Sequence, residues 1–550
     1  MQLYPTRATF HVAVAAVGLV TLGTTARVAP VVAFGGAMLL AVALARALAR
    51  IGVVRLRKAG FVMGWSSGRR VHRVRAGGTV IIHAELYNRS SLALRATEMR
   101  PIASSHLSVS VEPTIVELPP KCSVSVDFIV TAHRVGYWGI HGLGLLLSVI
   151  QSGADALFEI PLQFALPLGV EVFPAMLTEL VSHPRGGRVR RTSQADVARR
   201  VRGEGDSLRE LRLYASGDPF KRIAWKPSAR RGQLLVREMD RGERSVVWFV
   251  VDASVELWAG HAGRAPLDRV VDEVAALAAA HLHRGDRVGL AVIASRIHCW
   301  IAPDSGPSQG LVIAAALASS ARTIDSDRSS LDEQETARRV AEHAAPFDRE
   351  ASADWHRRDL DALVARANRL RSQAPFSAAE PPLAPTGRER QLRHYLVAFG
   401  VESPPRVEGE RAAAELVLDD ALARLTAERP RPNLAHVWAP PPSRPHALGN
   451  RVRALRARGV ELRWSLPSFD ASVAKDSVSP PVESGPSSVL YEAVGVRGRA
   501  ARERGERVLR RLGVRVASRV VPRRWASPLP AIALPGHLVD GTEPRRRTRG

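Results

Sequence analysis

The stretch Ser245-Val246-Val247-Trp248-Phe249-Val250-Val251-Asp252 decides the fold. An unbroken apolar run ending in aspartate is the pattern of a central parallel strand covered on both faces, where period-two alternation disappears. Downstream, Asp268 to His283 places Val271, Val274, Leu277, Ala278 and Leu282 on one helical face. Arg284-Gly285-Asp286 then turns the chain into a strand from Arg287 to Ile293, and Ile297 to Ile301 reads as another. A small-residue helix follows over Leu311 to Ser319. After a long interruption, Leu434 to Trp438, a helix near His446 to Arg458, and Val460 to Leu466 resume the strand–helix–strand order. This alternation predicts a doubly wound α/β domain over residues 242–466, built on a mostly parallel sheet.

Sheets of this kind bind ligands at the carboxyl ends of their strands. Here that end reads Asp252-Ala253-Ser254-Val255-Glu256. This run is similar to the Asp-x-Ser-x-Ser of von Willebrand A domains, and that resemblance implies Asp252, Ser254 and Glu256 as candidate ligands for a hard divalent ion such as magnesium, which prefers oxygen donors. The competing reading has Asp252 capping the following turn and Ser254 hydrogen-bonding locally. It is favoured because Leu434-Ala435-His436-Val437-Trp438 runs into Ala439-Pro440-Pro441, with no carboxylate where a second acidic ligand is wanted.

Upstream lies a dense polar segment at about 200–241. It contains Leu211-Arg212-Leu213-Tyr214 (or Leu208-Arg209 just before it), Gly217-Asp218, Lys221-Arg222, Ile223-Ala224-Trp225-Lys226, Ala229-Arg230 and Leu235-Val236-Arg237-Glu238. This succession resembles the signature of the DUF58 family (domain of unknown function 58). The chain departs from the family pattern at Ala224, where an acidic residue is usual, and at Asp206-Ser207, where Glu-Phe is usual. The resemblance implies a membrane-anchored protein with a von Willebrand A-like domain, working beside AAA+ ATPases of the MoxR type in assembly or maturation of other proteins. The von Willebrand A pattern is Asp-x-Ser-x-Ser; with Glu256 in the place of the last serine, the metal site reads as degraded.

In physical terms, Gly217-Asp218-Pro219 is a turn signal. Arg212, Arg222 and Arg230 offer forked donors that Asp218, Glu210 and Glu238 can satisfy. Two readings stand side by side. The segment is a polar loop latched by internal ion pairs, or it is a docking surface carrying Arg212, Tyr214, Gly217, Asp218, Arg222, Trp225, Lys226, Arg230, Arg237 and Glu238. No nucleophile with its base, phosphate-binding Gly-Lys-Ser or pair of catalytic acids is recognisable, so a non-catalytic protein is expected.

Between residues 60 and 180 the period changes to two. Val80, Ile82, Ala84 and Leu86 oppose Thr79, His83 and Glu85, and Val124, Val126, Phe128 and Val130 oppose Ser123, Ser125 and Asp127. Asn88 to Ser91, Glu112-Pro113, Pro119-Pro120 and Gly136 punctuate the strands, which suggests an immunoglobulin-like β-sandwich. His72, His83, His106, His133 and His141 lack metal-ligand spacing and read as surface or edge residues.

At the N-terminus, Ala8 to Ala26 is free of Asp, Glu, Lys and Arg, and residues 28–49 carry only Arg46. Each run is long enough to cross a hydrocarbon core of about 30 Å. The second run argues for a transmembrane hairpin over 8–49 rather than a cleavable signal peptide. Arg46, Arg50, Arg55, Arg57 and Lys58 crowd its exit, whereas the turn has only Arg27. The positive-inside rule therefore expects an inner-membrane protein with its soluble domains in the cytoplasm. Cys122 and Cys299, the only cysteines, are too far apart to form a disulfide framework and fit a reducing compartment.

The formal charge of +25 is almost all arginine, with five lysines. Such a charge attracts anionic lipid or nucleic acid. Without zinc-finger spacing or an aromatic stacking array, specific nucleic-acid recognition is not expected. Residues at about 322–432 break the α/β rhythm and read as a helical insertion, with Ala374 to Gly387 as a flexible linker. A Ser/Pro-rich linker and a basic tail occupy 467–550.

Overall fold

The computed structural model describes residues 3–149, 158–174, 202–215, 220, 223–240, 245–258, 262–263, 265–320, 322–406, 410–442, 445–467, 496, 500 and 502–517. A short strand β1 (Tyr4–Pro5) leads into α1 (Arg7–Thr25), and α2 (Ala29–Ala59) follows after a tight turn. Thr6 begins α1 as an N-cap, its hydroxyl accepting from the Thr9 amide at 3.3 Å. Pro30 stands in the first turn of α2, where the missing N–H costs nothing. Both helices are long and apolar enough to cross a membrane. Their large side chains face outward; Phe10, Leu22, Phe34 and Leu40 are all more than half exposed. The two helices meet through small residues. A Cβ added at Gly35 would lie 2.8 Å from the Ala16 carbonyl oxygen, and one at Gly23 would lie 2.8 Å from Val32.

The alternating segment forms nine strands in two sheets. They are β2 (Phe61–Trp65), β3 (Val71–Arg75), β4 (Thr79–Asn88), β5 (Leu94–Ala103), β6 (Leu107–Glu112), β7 (Val116–Leu118), β8 (Ser123–Ala132), β9 (Gly136–Val149) and β10 (Phe158–Phe173). One sheet runs β2-β4-β8-β6; the other runs β1-β10-β9-β5-β7, with β3 parallel to β10. Register pairs Ile82 with Phe128 and Ala84 with Val126, so the inward sets of β4 and β8 coincide and both are buried.

The polar segment folds back on itself. β11 (Arg202–Leu213) pairs antiparallel with β12 (Leu235–Asp240) as a separate two-stranded sheet, and the short helix α3 (Trp225–Arg231) lies between them. Gly232, at φ 65°, closes that helix in the left-handed conformation that only glycine adopts without strain.

A second six-stranded sheet follows. Its strands are β13 (Val246–Asp252), β14 (Arg287–Ile293), β15 (Ile297–Asp304), β16 (Leu434–Trp438), β17 (Glu461–Ser465) and β18 (Arg515–Ala517), in the order β15-β14-β13-β16-β17-β18. All neighbours are parallel except β15, which pairs antiparallel with β14. Every residue of β13 is buried because both faces are covered. Val247, Phe249 and Val251 pack toward α4 (Pro266–His283) and α5 (Pro307–Ser320), in one core with the sandwich. Val246, Trp248 and Val250 pack toward α10 (Glu410–Ala427) and α11 (Pro445–Ala457) on the other face.

The interruption of the α/β rhythm divides in two. Helices α6 (Glu333–Ala344), α7 (Glu350–His356), α8 (Leu360–Leu370) and α9 (Gly387–Phe399) enclose their own core around Val340, Leu363, Leu392 and Phe399. Helix α10 instead covers the main sheet through Leu418, Ala421, Leu422 and Leu425. The segment expected as a flexible linker is packed: Ala374 and Ala384 are buried, and Phe376 presses on Gly169 of β10. Of the C-terminal stretch, the helix 502–511 and β18 lie on the main sheet through Leu509 and Val514; the rest of 467–550 falls mostly outside the described residues.

Candidate functional site

Strand β13 delivers Asp252 to the carboxyl edge of the sheet, between the ends of β14 and β16. Asp252 is 2% exposed, and its Oδ1 accepts the Ser254 amide at 2.9 Å. This is the capping geometry of an Asx-type turn, and it leads into the 3-10 turn Val255–Trp258. Glu256 lies in that turn, with its side chain outside the described residues. The Ser254 hydroxyl is fully buried beside Asp252; among the described residues no hydrogen bond of ordinary geometry reaches it.

Two arginines from distant segments converge on this loop. Arg411, in the first turn of α10, brings Nη1 to 3.5 Å from Asp252 Oδ2, while its Nη2 donates to the Pro441 carbonyl at 2.7 Å. Its Nε lies 3.3 Å from Glu415. Arg328, 1% exposed, donates from Nη2 to the Ala253 carbonyl at 2.6 Å and from Nη1 to the Ser320 carbonyl at 3.0 Å. Burial pushes the Asp252 carboxyl above the ordinary carboxylate range, against the pull of Ser254, Arg411 and Arg328 toward the anion. Trp258 lies between Arg328 at 5.6 Å and Arg134 at 4.9 Å. Arg134, from the sandwich, grips Asp268 of α4 with two hydrogen bonds of 2.8 and 3.1 Å.

The neighbouring strand end is closed by aromatic packing. Trp438 is buried, donates to Glu273 at 3.0 Å and stacks on His436, whose Nε2 meets Ser465 at 2.9 Å. Burial lowers the His436 pKa to about 3. A divalent ion at Asp252 would need several converging oxygens at about 2.0–2.6 Å. Among the described residues, no three His, Cys, Asp or Glu side chains converge in that way. The space beside Oδ2 faces a guanidinium, so the residues described do not fit a metal.

The signature segment offers a different surface. Ile223, Ala224, Leu235 and Val236 are buried, and Ser228 ties helix to strand by accepting the Leu235 amide at 2.9 Å. This small core turns other apolar side chains outward: Phe220 is 71% exposed, Trp225 62%, Leu213 59% and Leu234 47%. Tyr214, half-buried, lies 6.2 Å from the Phe220 ring. Lys226, Arg230 and Arg231 are exposed along α3. Arg212, Arg237 and Glu238 belong to the paired strands, where Arg212 stands opposite Val236; their side chains are outside the described residues. Gly217, Asp218 and Arg222 also lie outside them. Sequence reading identified Trp225 and the basic residues but missed the outward Leu213, Phe220 and Leu234, whose exposure is set by which residues the hairpin buries.

A cleft of about 870 Å3 opens elsewhere, where the sandwich, α5 and the small helical core meet. Its lining includes Arg69, Arg73 and Arg322 together with Glu171, Glu380 and Glu402, and Arg73 donates to Glu171 at 2.8 Å.

No curated protein matches the chain. Among solved structures, the chain is similar over 21% of its length to 85% of the ASH / PapD-like domain of human CEP192, at 10% identity and a TM-score of 0.16. It is similar over 17% to 55% of the cupredoxin domain of amoB from Nitrosocaldus yellowstonii, at 14% identity and a TM-score of 0.12. A third likeness, over 20%, is to 94% of WR4, a C. elegans MSP family member, at 8% identity and a TM-score of 0.14. At these scores none of the three bears on fold or function. The stretch from β11 through α7 carries the family likeness: residues 210–353 match the model described as Protein of unknown function DUF58.

Proposed function

We propose that the chain is a membrane-anchored, non-catalytic adaptor. It presents a von Willebrand A-like domain and the signature hairpin to a protein partner, a MoxR-type AAA+ ATPase engaged in assembly or maturation of other proteins. The observation that carries this reading is the exposure of four large apolar side chains on one short segment, Leu213, Phe220, Trp225 and Leu234, with Lys226, Arg230 and Arg231 exposed along α3. An aromatic and arginine-rich surface on a hairpin that, among the described residues, pairs only with itself suits a protein interface, where such residues supply most of the binding energy. Its basic border favours an acidic partner surface.

The domain reading draws support from five parallel strands with one antiparallel edge, covered on both faces, with Asp252 and Ser254 at the carboxyl end of the first strand. The anchor reading draws support from α1 and α2. At 31 residues, α2 is about 46 Å long, so it outruns a hydrocarbon core of about 30 Å and carries Arg55, Arg57 and Lys58 beyond it. By the positive-inside rule those charges hold the folded domains in the cytoplasm, at the inner membrane. Asp252, Arg411 and Glu415 are engaged with one another, an arrangement that holds a shape rather than turning over a substrate.

Co-purification from membranes with ATP hydrolysis blocked tests the proposal. An AAA+ ATPase retained by the intact chain and lost with Trp225→Ala supports it. Its absence from folded, membrane-extracted protein counts against it.

A further inference from the structure

We propose that Arg411 is a tethered cation that takes the place of a divalent ion at Asp252, so that this edge of the sheet works without metal. The buried carboxylate needs a counter-charge, since an isolated buried anion is costly. Arg411 supplies it at 3.5 Å, and its own position is fixed from two other sides, by the Pro441 carbonyl and by Glu415. The placement runs against local preference. Arg411 stands in the first turn of α10, where the helix dipole disfavours a cation. A residue placed against a local rule points to a partner that compensates for it, and Asp252 is such a partner.

Arg328 strengthens the substitution from the opposite side. Its guanidinium, 1% exposed, holds the backbone of the same loop through the Ala253 carbonyl. A divalent ion entering beside Asp252 would meet two fixed positive groups. Among the described side chains it would also find one carboxylate already paired and one hydroxyl, Ser254, where magnesium demands near-octahedral oxygen coordination. The cation here is part of the chain, present at every ion concentration, and binding events at this edge are insensitive to chelators. This inference concerns only the strand-end site and holds whether or not the hairpin binds an ATPase.

The test uses the full chain in detergent. Titration with manganese, followed by electron paramagnetic resonance, should give no saturable site in the wild type, and its melting temperature should not change with millimolar magnesium or manganese. Arg411→Ala should melt lower by about 5 °C. Millimolar manganese should restore part of that loss, and Asp252→Asn in the same chain should abolish the restoration. Arg411→Lys, which keeps the charge, should stay indifferent to metal. Saturable manganese binding by the wild type that disappears in Asp252→Asn overturns the proposal. So does an Arg411→Ala variant that is as stable as wild type and equally indifferent to metal. If Arg411→Ala fails to fold, the wild-type and Arg411→Lys titrations still decide the matter.

Discussion

At Asp252 burial and charge pull in opposite directions. Loss of water favours the neutral acid, while the Ser254 groups, Arg411 and Arg328 favour the anion. Arg328 has a second duty, because its two terminal nitrogens join carbonyls of separate segments, Ala253 on the sheet edge and Ser320 at the end of α5. Arg328→Met leaves those carbonyls without these donors and is expected to cost about 3 kcal/mol. Urea unfolding checks it: the midpoint should fall with the slope unchanged, and an unmoved midpoint contradicts the role. Asp252 and Ser254 were legible because they follow an apolar run with fixed spacing. Arg328 and Arg411 were not. They reach the site from far downstream, and among 78 lysines and arginines no local pattern distinguishes the two that fold back. Trp225 was legible from its motif, but its exposure depends on which side of the hairpin core it takes.

Helix α6 and strand β9 are joined by a polar chain that sequence periodicity gave no reason to expect. His343 Nδ1 lies 2.9 Å from the Tyr395 hydroxyl, and its Nε2 lies 2.9 Å from His141 Nδ1. The arrangement is satisfied with neutral rings, the Tyr395 hydroxyl donating to one nitrogen of His343 and the other donating to His141. Burial lowers the His141 pKa to about 4, against the pull of Glu402; burial and His141 together lower that of His343. Both values lie below the ordinary 6.5, so the unfolded chain takes up protons first as pH falls. Stability from this joint is therefore full above about pH 6.5 and declines toward pH 4. His343→Gln should flatten the fall of the melting temperature between those limits, although His298 and His436 leave part of it. An unchanged slope contradicts the assignment. The same joint shows why the linker expectation failed at 374–387. The prolines there break helix, yet Phe376 finds Gly169 on β10, and Gly400 approaches Gly139, where a side chain would collide. Composition reports local stiffness and polarity; it does not report a neighbouring surface shaped to receive the segment.

On the scale of the whole molecule, strand and helix types followed from periodicity at β4, β8, β13 and α4, because burial on one or both faces writes directly into residue spacing. The order of the main sheet did not, since pairing β13 with β16 spans the whole helical core between them. If α1 and α2 hold the rest of the chain at the cytoplasmic face, Cys122, which is exposed on the sandwich, faces the cytoplasm. With Cys299→Ser removing the other thiol, a membrane-impermeant maleimide should label inside-out vesicles and spare intact spheroplasts. Labelling of spheroplasts reverses the topology. The proposed adaptor role makes the sharpest demand on the hairpin. A photo-reactive phenylalanine analogue in place of Trp225, irradiated in native membranes, should give an adduct with an AAA+ ATPase that depends on bound nucleotide. Adducts with lipid alone, or with no ATPase under any nucleotide, from a chain that is folded and membrane-held, would contradict the account.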